Sequence, residues 1–309
     1  MKAARVSPDR VYRAALGGAA SLVFLIVALI VYETTRGALL SLRTFGLGFL
    51  TNTVWDPVAE RFGALPYIYG TLVSSGLALL FAVPLGIGTA VYLAEIADRR
   101  VGAFVSFVIE LLAAIPSIVY GVWGFFVLAP WLRTAVEPWL IAHFGFLPLF
   151  RGYPFGIGML NAGIVLAIMI VPTIVSISRE VLLATPRSLR EAAHALGATP
   201  AEAIGAALGA ARPGILGSVI LALGRALGET MAVTMVIGNT NRISASLVDP
   251  GATMASIIAN EFTEATSPIY LSSLIEIALV LFAITIVVNA LARLLVLWAT
   301  GGRRVAVPA

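Results

Sequence analysis

Ser188-Leu189-Arg190-Glu191-Ala192-Ala193-His194-Ala195-Leu196-Gly197-Ala198-Thr199-Pro200-Ala201-Glu202 is a polar island between long apolar runs. It carries too much charge to cross a bilayer, yet it is dense with helix punctuation. Ser188 with Glu191, and Thr199 with Glu202, have the spacing of capping boxes. Pro186 and Pro200 each follow a threonine, so Thr185 and Thr199 read as N-caps with proline in the first turn. Gly197 stands where a left-handed residue ends a helix. The expected product is helix, tight turn, helix. Alanine supplies helix propensity without bulk. A face built on Ala192 and Ala193 therefore fits deep into a partner's groove, oriented by Glu191, Arg187 and Arg190. An amphipathic connector lying against a membrane is the other reading of the same residues.

The rest of the chain makes that island unusual. Of 309 residues, 60% are apolar and 12% are charged, against roughly 25% charged in a soluble domain. Mean hydropathy is +0.99. Six runs reach the ~20 residues that cross a bilayer as a helix: 14–31, 68–94, 103–128, 157–177, 215–237 and 271–299. The fold class is an all-α integral membrane protein. The first run is too long for a signal-peptide core and is read as a retained span. No soluble domain and no internal repeat is evident. The division expected is an N-terminal tail 1–13, a first helix with its outer loop 14–66, a five-helix unit 67–299 holding the polar loop 179–212, and a tail 300–309.

The net charge of +4 does not point to nucleic acid, because the basic residues stand at the ends of apolar runs, where they fix topology. Lys2, Arg5, Arg10, Arg13, Arg99, Arg100, the 179–212 arginines, Arg293, Arg303 and Arg304 share one side; Arg36, Arg43, Arg61, Arg133, Arg151 and Arg242 take the other. That excess places both termini, and the Glu191 segment, in the cytoplasm. The loops 51–67 and 131–155 then face outward, with Trp55, Trp131 and Trp139 suited to an interfacial belt.

Chemistry is scarce. Cysteine is absent, and His143 and His194 are isolated, so neither a thiol nor a metal site is expected, and no catalytic residue is assigned. Lys2 is the only lysine. A Walker A loop needs Gly-x-x-x-x-Gly-Lys-Ser/Thr and has no place here; any ATP and Mg belong on another chain. Pro84, Pro116 and Pro172 interrupt apolar runs and read as packing kinks or as hinges beside a pathway. Glu110, Arg225, Glu229 and Glu276 fall within apolar runs, where each charge costs roughly 2.5–3.5 kcal/mol and needs a partner or water. Arg225 and Glu229, spaced i, i+4, are expected on one helix face, with Gly224 and Gly228 at close-packing spacing. They form either a structural pair or part of an anion pathway. Glu276 is expected to meet a partner subunit's arginine, and Glu110 to satisfy backbone freed at Pro116.

Glu191-Ala192-Ala193-x-x-x-Gly197 resembles the EAA motif of bacterial ABC importer permeases, which share a six-helix, MetI-like type I fold. The family usually ends this motif Ile-x-Leu-Pro, where this chain has Ala206-Ala207-Leu208-Gly209-Ala210. A narrower likeness covers Gly224–Asn239, Phe62–Thr71 and Ala114–Gly121, which are similar to the span signatures of phosphate-specific permeases of the PstC type. The resemblance implies a coupling helix at Glu191, Ala192, Ala193 and Gly197 that docks on an ATPase. It also implies a second permease, a pair of ATPase subunits and an extracytoplasmic phosphate-binding protein as partners, in the inner membrane. Arg225, Glu229 and Thr230 would border the substrate pathway. Another oxyanion, sulfate or molybdate, and an ion-coupled secondary transporter are the competing functions.

Overall fold

The computed structural model describes residues 8–299; the expectations for Lys2, Arg5, Arg303, Arg304 and the tail 300–309 lie outside them. The helices are α1 (Pro8–Phe45), α2 (Leu65–Val91, continued by a π turn Tyr92–Ile96), α3 (Arg99–Ala114), α4 (Ser117–Phe144), α5 (Met159–Ala184), α6 (Arg187–Ala195), α7 (Pro200–Leu227), α8 (Met231–Val236), α9 (Met254–Glu261) and α10 (Pro268–Ala299). Six of them are long and apolar enough to cross a membrane, the number expected.

Two crossings differ from the expected bounds. The run 103–128 is not one helix. α3 ends at Ala114, Ile115 and Pro116 are extended, and α4 starts at Ser117 and continues to Phe144. Proline disfavours the helical region for the residue before it, and here that constraint wins. The carbonyl of Leu112, freed at the break, accepts from the Tyr120 hydroxyl at 2.8 Å. Glu110 does not serve there; it is exposed on α3, beside Arg179. The run 215–237 is likewise divided. α7 is continuous from Pro200 to Leu227, so the second short helix is the first turns of a span. Residues 206–210, which stand where the family's motif ends Ile-x-Leu-Pro, are helical throughout.

α5 is the axis of the core, with 67% of its membrane-length window buried, against none of that of α1. A helix apolar on every side belongs inside. Close approach to its neighbours is made by glycines: a Cβ on Gly86 of α2 would strike Ile174, and one on Gly163 of α5 would strike Leu77. Hydroxyls join helices where the bilayer offers no water, each such bond contributing roughly 0.6 kcal/mol. Ser178 and Ser218 link α5 to α7 at 2.9 Å, and Ser41 and Ser273 link α1 to α10 at 3.1 Å. Glu276 is buried beside Ser41 in that second seam, which removes it from any surface that meets a partner. Trp55 is also buried, donating to Glu261 at 2.6 Å, whereas Trp131 and Trp139 are exposed. Only the latter two suit an interfacial position.

Candidate functional site

At the α6–α7 corner, local sequence determines local structure. α6 ends in a Schellman motif. Gly197 has φ +87°, its N–H donates to His194 at 2.9 Å, and Ala198 N–H donates to Ala193 at 3.0 Å. Thr199 then starts α7 with a reciprocal capping box, its N–H donating to Glu202 Oε2 at 2.8 Å. The first expected box does not form: α6 begins at Arg187 with no side-chain cap. The Thr185 hydroxyl turns back instead, donating to Val181 at 3.1 Å, and Pro186 makes an extended corner.

No residue of α6 is fully buried. Ala193 and Arg190 face the chain's own helices, while Glu191 and Ala192 are exposed. Leu189 and Leu196 flank Ala192 at i, i+3, i+7 spacing, and Leu196 is 89% exposed. An apolar stripe left exposed on an otherwise polar helix has the form of a face that a partner's groove could take. The two leucines were missed in the sequence, where alanine drew attention; the 3-4 spacing of Leu189, Ala192 and Leu196 was the signal available.

The second cluster stands at the far end of α7. The helix stops at Leu227, so Glu229 lies beyond its C-cap, Gly228, and does not share a helix face with Arg225. Glu229 accepts instead from the N–H of Ala232 at 3.3 Å, in the first turn of α8. Thr230 accepts at its carbonyl from the N–H and hydroxyl of Thr234. Arg225 is exposed, Glu229 and Thr230 half-buried, and the ion pairs within 4 Å among the described residues do not include Arg225. Gly224 faces the side chain of Asn289 on α10, while Gly228 meets only its own helix. The link is held from outside: Gly121 of α4 packs so tightly on Ala232 of α8 that a Cβ would come within 2.9 Å of its backbone. Interrupted helices at membrane depth are tolerated where they are buried or line a water-filled cavity. The arrangement sets a guanidinium outside those ion pairs, a donor suited to an oxyanion, near a carboxylate that can only accept and a Thr230 hydroxyl that donates to the Gly228 carbonyl at 3.3 Å.

The prolines divide. Pro84 and Pro172 lie inside continuous helices, and only Pro116 breaks one.

Residues 82–299 match the family described as binding-protein-dependent transport system inner membrane component. A protein of Mesorhizobium japonicum named phosphate transport system permease protein PstC is 48% identical over 290 residues, 92% of this chain and 89% of that protein. The one of the same name from Haemophilus influenzae is 46% identical over 282 residues, covering 90% and 89%. Among solved structures, an inward-facing MetNI methionine ABC transporter aligns over 81% of this chain and 95% of its own, with a TM-score of 0.50 and 18% identity, which is likeness of fold. The chain belongs to the family of binding-protein-dependent transport inner-membrane components, among the PstC permeases.

Proposed function

We propose that this chain is one permease subunit of an ATP-driven importer of inorganic phosphate. The observation that carries the reading is α6, a short helix set between an extended proline corner and a glycine turn, whose apolar stripe none of the described residues covers. An ATPase seated on Leu189, Ala192 and Leu196, with Glu191 beside them, pushes the corner when nucleotide closes its subunits. Gly197 keeps that corner tight. The spans then rotate as bodies, alternating the open side, with Pro116 and the Gly228–Thr230 link as the flexing points and Pro84 and Pro172 as secondary ones. ATP and Mg sit on that partner. The relatives' names support phosphate as the cargo, and Arg225 supplies a forked donor for its oxygens. Glu229 competes as an internal anion, so that binding stays weak enough for release. A second, related permease completes the pathway, an extracytoplasmic binding protein delivers the anion, and both termini lie on the ATPase side.

Uptake of radiolabelled phosphate in cells lacking other phosphate importers tests this. Transport that requires the ATPase gene, and that excess sulfate does not compete, is the expected result. Transport surviving loss of the ATPase would contradict it.

A further inference from the structure

One ion pair joins three helix ends at the inner corner. Glu95 sits in the π turn Tyr92–Ile96 that closes α2, and Ala97 N–H completes the wide turn by donating to Tyr92 at 2.8 Å. Its side chain is only 7% exposed. A carboxylate so deeply buried costs several kcal/mol unless it is paired and hydrogen-bonded. Arg190 of α6 supplies the pairing with a fork, Nε to Oε2 at 2.9 Å and Nη2 to Oε1. The same guanidinium donates to the carbonyl of Leu182 from Nη2 and to that of Thr185 from Nη1, both at 3.0 Å. These carbonyls end α5, where helix hydrogen bonding leaves acceptors open and the dipole favours a cation. One planar group thus binds α6, α2 and α5 together.

Without it, α6 keeps the extended Thr185–Pro186 corner, the glycine turn into α7 and the packing of its Ala193 face, and has no side-chain hydrogen bond to α2 or α5 among the described residues. A helix hung on two bends absorbs a push by tilting. A helix whose guanidinium is forked onto a carboxylate of one span and two carbonyls of another delivers the push to both. α2 and α5 are already packed together through Gly86 and Gly163, so they move as a unit. The π turn has its own part here, because the extra residue changes the direction in which Glu95 leaves the helix; such turns are frequent at functional sites.

We infer that Arg190 and Glu95 are positioning residues, a strut that converts displacement of α6 into joint movement of α2 and α5. This rests on the reading of α6 as the ATPase contact. Lysine does not replace arginine in this role, since its ammonium is a point charge without a fork.

The test uses the complete importer, reconstituted in vesicles with its ATPase and binding protein, and reads phosphate moved per ATP hydrolysed. Arg190→Lys and Glu95→Gln are expected to keep the subunits assembled and ATP turning over, while the ratio falls by about fivefold or more. A Glu95→Cys, Arg190→Cys pair, in a chain with no other cysteine, should be equally uncoupled until a short bismaleimide joins the two thiols, and then recover. Recovery on linking separates a strut from a contact needed only for folding. An unchanged ratio in both single variants, or no recovery in the linked pair, would overturn the strut. A thiol at position 196 is carried in parallel. If it makes no crosslink to the ATPase in the otherwise unchanged complex, the docking reading itself is at fault.

Discussion

The two ends of α7 are built on opposite plans. At its N-terminal end every turn is closed by residues within a few positions: Gly197 in a left-handed conformation, the Ala198–Ala193 bond, and the Thr199–Glu202 box. At its far end the helix gives way to Gly228 with φ −96°; the link has neither a left-handed glycine nor a reciprocal box, its local bonds belong to the start of α8, and Gly121 of α4 packs against that start. Local closure makes a stiff handle that keeps its shape when pushed. Tertiary closure makes a junction whose shape follows the helices around it. Under the proposed function, the first suits the place where force enters and the second the place where the path opens.

Substitutions at the two ends should separate these roles. The largest effect is expected from Arg225→Gln. A charged hydrogen bond is worth about 1.5–3 kcal/mol, so initial phosphate uptake should fall by about tenfold to a hundredfold while the complex still assembles. Near-normal uptake would take Arg225 out of the pathway. Leu196→Glu is next. Loss of a central apolar anchor costs about 2 kcal/mol or more, so ATPase recovered with the purified permease should drop by about tenfold or more; full recovery would show that the leucine stripe lies outside the interface. Gly197→Ala forces a side chain into left-handed backbone at about 1–2 kcal/mol, which should appear as faster amide exchange in α6 with the spans unchanged. The smallest change belongs to Thr199→Ala, about 1 kcal/mol from the lost cap. Exchange should quicken in the first turn of α7 only, and an effect reaching Arg225 would mean that the two ends are not separable.

The same contrast governs what could be read from the residues alone. The helix–turn–helix corner was legible because glycine, threonine, proline and glutamate act within a turn of themselves. The Ser188–Glu191 box looked equally good and failed. The helix starts at Arg187, so Ser188 lies inside its first turn and not ahead of it, and Thr185 spent its hydroxyl on the preceding span. The six crossings were legible from hydropathy, which reports burial in lipid and not the direction of the chain. It therefore joined α3 to α4 across Pro116 and placed Glu229 on the helix of Arg225. Glu276 was read as partner-facing because sequence shows its charge and not Ser41, which stands 235 residues away and beside it in space. Glu95 drew no attention for the same reason, its partner being Arg190.

The decisive measurement is a crosslinking comparison between two single thiols in this cysteine-free chain, one at Leu196 and one at Val58, which is 95% exposed on the opposite side of the first crossing. In the assembled importer the thiol at 196 should join the ATPase in high yield, and the one at 58 should join it not at all. A silent 196, or an ATPase captured from 58, would contradict entry of force through α6.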